Sequence, residues 1–268
     1  MRRKQKVRSH SSANRTGPDR FLGENLSFAA SEAYKLLRTN LFFCLPAYGE
    51  ATCRVVGVTS SVQDEGKSTT SINLSYMLAQ DGKKVCLIEG DMRAPTFKSR
   101  LKLKSKAGLS HVLAGMKTNP EEILCSALHP NMKVISAGEM PPNPAELLGS
   151  ERMTKLLELL RGMYDFIIID LPPVTVVADA LTVGNLVDGM LVVVENGVTT
   201  KRELDDAMHR MEVIRDKILG FVVTHAEGAK GKYGKKKYGY GYGYGERKPS
   251  HVTDTSPEEK TSKDQENL

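Results

Sequence analysis

The chain has little of what usually places a protein outside the cell or across a membrane. Its four cysteines, Cys44, Cys53, Cys86 and Cys125, show no C-x-x-C spacing and no nearby histidine partners. That argues against a zinc site or a disulfide framework, and for buried free thiols in a reducing cytoplasm. No apolar run reaches the roughly 18 residues that a bilayer span requires. The basic N-terminus runs into Ser-Ser-Ala-Asn-Arg-Thr instead of an apolar stretch, so a secretory signal is not expected. A basic globular surface is missing too. Residues 1–20 carry seven Lys/Arg against Asp19 and residues 229–249 seven against Glu246, whereas 21–228 hold 22 basic and 25 acidic side chains. The net charge of +6 therefore resides in the ends, which weakens a nucleic-acid reading and suits contact with anionic lipid or an acidic partner.

What is present centres on Arg54–Thr70, RVVGVTSSVQDEGKSTT. A β-branched strand turns through small and polar residues into Gly66-Lys67-Ser68-Thr69 and then into a helix with Ile72, Leu74, Met77 and Leu78. This is the pattern of a phosphate-binding loop, in which backbone N–H groups and a helix N-terminus surround phosphates. Lys67 would reach the β- and γ-phosphates and Ser68 would ligate Mg²⁺. Ser61 stands where the first glycine of G-x-x-x-x-G-K-[ST] falls. Ser61, Asp64, Glu65, Gly66, Lys67, Ser68 and Thr69 are the candidate nucleotide contacts.

Two acidic strand ends follow. Lys84–Glu89 reads as a strand leading into Gly90-Asp91-Met92-Arg93, and Tyr164–Val174, the most hydrophobic strand in the chain, carries Asp170. Acids at the carboxyl ends of parallel strands sit where open α/β sheets bind ligands. Asp91 or Glu89 would serve a hard Mg²⁺, as would Asp170. Arg93 has either these acids or phosphate as its partner.

Strands at Met132–Ser136, Gly189–Glu195 and Ile218–Thr224 alternate with helices at Gly108–Gly115, Pro120–Leu128, Glu151–Leu160, Ala178–Leu186 and Lys201–Ile214. That alternation predicts an α/β fold, a P-loop NTPase-like parallel sheet with helices on both faces. Residues 1–26 read as a flexible basic arm, 27–228 as the folded domain and 229–268 as a disordered tail. A helix is expected over Ser31–Leu41 with a Ser31 cap, and Glu32, Lys35 and Arg38 recur along it every three residues. His225 reads as a strand-end histidine without chemistry. The tail holds Tyr233, Tyr238, Tyr240, Tyr242 and Tyr244 among glycines and lysines, either a low-complexity linker or a phenol-rich substrate.

Together these pieces resemble the bacterial tyrosine kinases of capsular and exopolysaccharide systems, over about residues 27–245. Ser60–Thr69 is similar to that family's Walker A, Leu87–Arg93 to its Walker A′ and Ile167–Pro173 to its Walker B. Glu32, Lys35 and Arg38 resemble its ring-forming E-x-x-R-x-x-R, Tyr233–Tyr244 its tyrosine cluster, and Pro141–Leu148 a segment common in it. The sequence departs from the pattern at Asp64 (usually Gly), Glu89 (usually Asp) and Lys35 (usually Arg).

The resemblance implies an ATP- and Mg²⁺-dependent protein-tyrosine autokinase that regulates polysaccharide polymerisation and export. Lys67, Glu89, Asp91 and Asp170 would be catalytic, with Glu89 or Asp91 as proton acceptor. Ser68, Asp91 and Asp170 would serve the metal, and Glu32, Lys35 and Arg38 the contacts of a homo-oligomeric ring. It implies phosphorylation at the five tail tyrosines. It also implies a transmembrane adaptor with an activating cytoplasmic tail, a cognate tyrosine phosphatase and protein substrates, but no nucleic acid, and a cytoplasmic location at the inner face of the membrane. The competing readings are a ParA/MinD-like ATP-gated switch, whose second loop lysine would fall on Val62, and a nucleotide-binding scaffold without kinase activity.

Overall fold

The computed structural model describes residues 22–45, 53–117 and 119–226. The expected arm up to residue 21 and the tyrosines Tyr233, Tyr238, Tyr240, Tyr242 and Tyr244 lie outside the described residues. The elements run α1 (Phe28–Cys44), β1 (Arg54–Ser60), α2 (Lys67–Gln80), β2 (Val85–Glu89), α3 (Phe97–Arg100), α4 (Leu109–Leu113), β3 (Leu124–Ala127), β4 (His129–Ile135), α5 (Pro144–Leu148), α6 (Glu151–Arg161), β5 (Phe166–Asp170), α7 (Asp179–Gly184), β6 (Gly189–Glu195), α8 (Lys201–Arg210) and β7 (Ile218–Thr224). The strands form one sheet in the order β3-β4-β2-β5-β1-β6-β7. Every pairing is parallel except β3 with β4.

Both faces of the sheet are covered, which is why β5 reads FIIID without polar alternation. Phe166 and Ile168 face the layer of α1 and α2 with Leu41, Ile72, Leu74 and Leu78. Ile167 and Ile169 face the opposite layer with Leu157, Leu160, Val183 and Ile214. Helix α2 is buried along most of its length. Its interior serines return their hydroxyls to the backbone one turn earlier, Ser71 Oγ donating to Lys67 O at 2.9 Å and Ser75 Oγ to Ser71 O at 2.8 Å. Buried hydroxyls thus gain partners without leaving the helix.

Several expectations are corrected. Helix α1 starts earlier than Ser31. Ser27 caps it by accepting from Ala30 N at 3.3 Å, and Phe42 packs edge-on against Phe166 with ring centroids 5.5 Å apart. Leu22 and Gly23 already pack against α2, Gly23 N donating to Asn73 Oδ1 at 3.0 Å, so the packed chain begins ahead of residue 27. Pro120–Leu128 is not a helix: a 3₁₀ turn at Pro120–Ile123 leads into β3, where antiparallel pairing with β4 overrides a sequence without strong strand character. Helix α8 ends at Arg210, and a 3₁₀ stretch with non-helical Ile214 completes the connection. Cys53 and Cys86 are buried, but Cys44 is exposed and Cys125 half-buried.

Candidate functional site

Strands β2, β5 and β1 are neighbours. Their pairing sets Glu89 opposite Asp170 and Asp170 opposite Val58, so the acidic strand ends meet beside the loop that leaves β1. That loop turns through two left-handed residues, Asp64 (φ 64°) and Gly66 (φ 89°), before α2 begins at Lys67. Asp tolerates this conformation better than most side chains, so Asp64 keeps the backbone shape that a glycine would give. Its carboxylate is exposed. Gly66 has a second reason to be glycine, because a Cβ there would lie 3.3 Å from Thr224 Cγ2.

The loop's polar side chains divide into two groups. Lys67 Nζ donates to Asp91 Oδ2 at 2.8 Å and lies 3.9 Å from Asp170 Oδ2. Ser68 Oγ donates to Asp170 Oδ2 at 2.6 Å, and Asp170 Oδ1 is a second, longer neighbour of the Ser71 hydroxyl at 3.2 Å. Burial alone would pull the Lys67 ammonium down, but Asp170 and Asp91 outweigh it and hold its pKa above the ordinary lysine value. Asp170 is wholly buried, and burial pushes its carboxyl up against the pull of Lys67 and the Ser68 hydroxyl. These groups face one another at the head of α2, where N–H groups collect anions.

Glu65 and Glu89 are turned elsewhere. Glu65 is buried, accepts from Val62 N at 2.9 Å and receives the Thr199 hydroxyl on its other oxygen. Glu89 is buried beneath the loop after β2. Its Oε1 accepts from Thr96 N at 2.5 Å and Phe97 N at 2.7 Å, and its Oε2 from Ala137 N at 3.0 Å. Burial pushes the Glu89 carboxyl up, and the three N–H donors pull it partly back. Of the two acids left open by sequence, Asp91 faces Lys67 with Oδ2 and accepts from Ala94 N at 3.0 Å on Oδ1, whereas both oxygens of Glu89 hold backbone. Arg93 pairs with neither. It forks onto buried Asp179, Nε to Oδ2 at 3.1 Å and Nη2 to Oδ1 at 3.2 Å.

Ser61 is buried with an unpartnered Oγ, while its carbonyl accepts from Thr175 Oγ1 at 2.5 Å. The Thr69 hydroxyl accepts from Arg100 Nη2 at 2.9 Å. On α1, Glu32 and exposed Lys35 pair with each other at 2.8 Å, whereas Arg38 reaches α2, donating to Met77 O at 3.2 Å and pairing with Asp81 at 3.0 Å. His225 lies 3.2 Å from Glu195. Sequence reasoning missed Ser71, Asp179, Thr199 and Thr224. Ser71, four residues from Lys67 and so on its helical face, is the one that spacing could have found.

The arrangement suits nucleotide phosphates, with one lysine, hard-oxygen donors and a helix N-terminus together. Comparison with known proteins decides the family. The sequence pattern described as an AAA domain matches residues 55–219. The chain is 37% identical over 210 residues to the tyrosine-protein kinase YwqD of Bacillus subtilis, covering 77% of this chain and 87% of that one. It is 34% identical over 207 residues to the tyrosine-protein kinase CpsD of Streptococcus agalactiae serotype III, covering 76% and 85%. The chain belongs to the bacterial tyrosine-protein kinases. The solved kinase domain of the Escherichia coli tyrosine kinase ETK superposes with a TM-score of 0.71 at 32% identity, over 88% of this chain and 89% of that one. Pyrococcus horikoshii MinD matches with a TM-score of 0.54 at 24% identity, which shows a common fold and no more. The tyrosine-kinase reading stands over the partition-switch alternative, and the chain is a nucleotide-binding protein-tyrosine kinase of the P-loop type.

Proposed function

We propose that the kinase phosphorylates the tail of a neighbouring copy of itself, transferring the ATP γ-phosphoryl in line to the hydroxyls of Tyr233, Tyr238, Tyr240, Tyr242 and Tyr244. The observation that carries this reading is Lys67, set 2.8 Å from Asp91 and 3.9 Å from Asp170 at the head of α2. When nucleotide enters, Lys67 exchanges Asp91 for phosphate oxygens and neutralises charge as it spreads over the transferring group. That exchange frees Asp91 Oδ2 to accept the phenol proton, which has a pKa near 10 and leaves readily only towards a positioned base. Asp91, not Glu89, is therefore the acceptor in this reading. Ser68 and Asp170 would hold Mg²⁺, which would supply positive charge against the phosphate oxygens. Among the described residues no cluster of three or more His, Cys, Asp or Glu side chains forms a cage.

Among the described residues no helix is long and apolar enough to cross a membrane. We place the enzyme at the inner face of the membrane through a transmembrane adaptor whose cytoplasmic tail activates it, with capsular or extracellular polysaccharide assembly as the regulated process. A cognate phosphatase would reset the tail. Exposed Glu32 and Lys35 share α1 with exposed Phe28, Leu36 and Phe43, which supports this helix as the contact between subunits of a ring. Arg38 would act there by fixing α1 against α2.

An anti-phosphotyrosine assay on purified protein with Mg·ATP and the adaptor's cytoplasmic segment tests the reading. Wild type is expected to label and Lys67→Met not. Asp91→Asn should lose about 100-fold or more in rate, the usual weight of a general base, with ATP affinity within threefold. A Lys67→Met chain should become labelled when mixed with an active chain lacking residues 229–268. Undiminished labelling in Asp91→Asn removes it as the base, and an unlabelled mixture removes transfer between subunits.

A further inference from the structure

The phosphate-binding loop is held from a side that has no part in the chemistry above. Thr199 lies in the connection from β6 to α8, and Thr224 ends the edge strand β7. The Thr199 hydroxyl donates to Glu65 Oε1 and accepts from Glu195 N at 2.9 Å, so it ties the loop acid to the end of β6. The Glu65 carboxylate then spans the loop by accepting from Val62 N at 2.9 Å. The Thr224 hydroxyl donates to the Glu65 carbonyl at 2.8 Å, with Val194 O a further 3.3 Å neighbour. Its methyl group faces the place where a Gly66 side chain would be. These partners lie 134 and 159 residues apart in sequence.

The second bond has a geometric consequence. The Glu65 carbonyl and the Gly66 N–H belong to one planar trans peptide, in which C=O and N–H point in opposite directions. Fixing the carbonyl on Thr224 therefore aims the Gly66 amide away from β7. A loop that binds phosphate through backbone N–H groups depends on how each peptide plane is turned. Left-handed Gly66, with no Cβ to restrict it, would otherwise turn freely. We propose that Thr199 and Thr224 are positioning residues for nucleotide binding, which preset the Glu65–Gly66 peptide from the sheet edge before phosphate arrives. The proposal rests on this loop being the phosphate site.

The test uses the full chain, titrated with a fluorescent N-methylanthraniloyl-ADP in Mg²⁺, alongside thermal melting. Thr224→Val and Thr199→Val keep a β-branched shape and remove only the hydroxyl. Each is expected to weaken binding about five- to tenfold, the effect of one lost hydrogen bond, and to raise the KM for ATP more than it lowers kcat. Thr224→Ser and Thr199→Ser should bind within twofold of wild type. Because both threonines act on one loop residue, the double valine variant should lose less than the product of the single losses. Valine variants that melt earlier but bind as wild type would show a purely structural role and overturn the proposal, as would serine variants as weak as valine. Lys67→Met is the separate arm. If it binds the analogue as wild type does, the loop itself is not the phosphate site; if it weakens while both valine variants do not, only the positioning role is wrong.

Discussion

Replacing Glu89 with glutamine separates two roles that a carboxylate at the end of β2 can have. As the proton acceptor it would be needed for rate and dispensable for the fold. As the holder of the Thr96, Phe97 and Ala137 amides it would be needed for the fold. A glutamine can keep two of the three N–H partners on its carbonyl oxygen, but its NH₂ then faces the third as donor against donor. One charge-assisted bond of about 1.5–3 kcal/mol is lost, and a buried N–H is stranded at a further cost of about 1–3 kcal/mol. Burial returns part of this, because the neutral amide no longer carries the charge whose desolvation pushes the Glu89 carboxyl up. A net loss of about 2–4 kcal/mol is expected, and in a domain of this size each kcal/mol moves the midpoint by about 2–4 °C.

Calorimetry should therefore find Glu89→Gln melting roughly 5–15 °C below wild type. The protein that remains folded should transfer phosphate at a rate reduced by less than tenfold. Glu89→Ala strands all three amides, and its loss approaches the whole stability of an ordinary domain, about 5–15 kcal/mol. A Glu89→Gln protein that melts within 2 °C of wild type yet loses about 1000-fold in rate would refute the reasoning and return Glu89 to the chemistry.

Two further outcomes concern the thiols. At pH 8, native protein should react with an aromatic disulfide at exposed Cys44 well before Cys53 and Cys86, whose thiols burial pushes up, Cys53 to about 11; mass mapping that finds Cys86 modified first would contradict the packing. Stability should also fall between pH 9 and 11. Folded Cys53 keeps a proton that the unfolded chain gives up near 9.0, and Lys67, likewise raised, adds to the fall as the pH passes 10.5. Denaturant titrations of Cys53→Ala across that range should show a shallower slope than wild type, and an equal slope would remove Cys53 as a contributor.

What the sequence reveals of this site is what lies within a few residues. Gly66-Lys67-Ser68 announces itself because loop, lysine and hydroxyl are contiguous, and Asp170 because four apolar residues of a doubly covered strand, Phe166–Ile169, lead into it and Leu171-Pro172-Pro173 follows. Contacts between distant segments leave no such trace. Arg93 and Asp179 are 86 residues apart, and nothing near Arg93 distinguishes a buried carboxylate partner from a phosphate. Thr199 and Thr224 look like ordinary loop and strand-end residues until the sheet brings β6 and β7 against the loop. The edge strand β3 was hidden for a related reason: Leu124-Cys125-Ser126-Ala127 has no strong preference of its own, and β4 supplies the pairing that decides it.

The departures from the family pattern divide along the same line. Asp64 stands where the family pattern has glycine, and at φ 64° and exposed it keeps a left-handed backbone while adding a negative charge to the loop. With the loop's shape kept, any effect of this charge is to be sought in rate or affinity. Glu89 alters reach. Its extra methylene extends a carboxylate that takes two amides at the start of α3 on one oxygen and Ala137, beyond β4, on the other. An aspartate there is shorter and cannot join both segments without moving one of them. The glutamate thus ties the end of β2 to the loop after β4, leaving Asp91 as the acid of this pair that meets Lys67. In the proposed reading structural and chemical work fall to different carboxylates, and the two should respond separately to substitution: loss of Glu89 first in the melting curve, loss of Asp91 first in the rate.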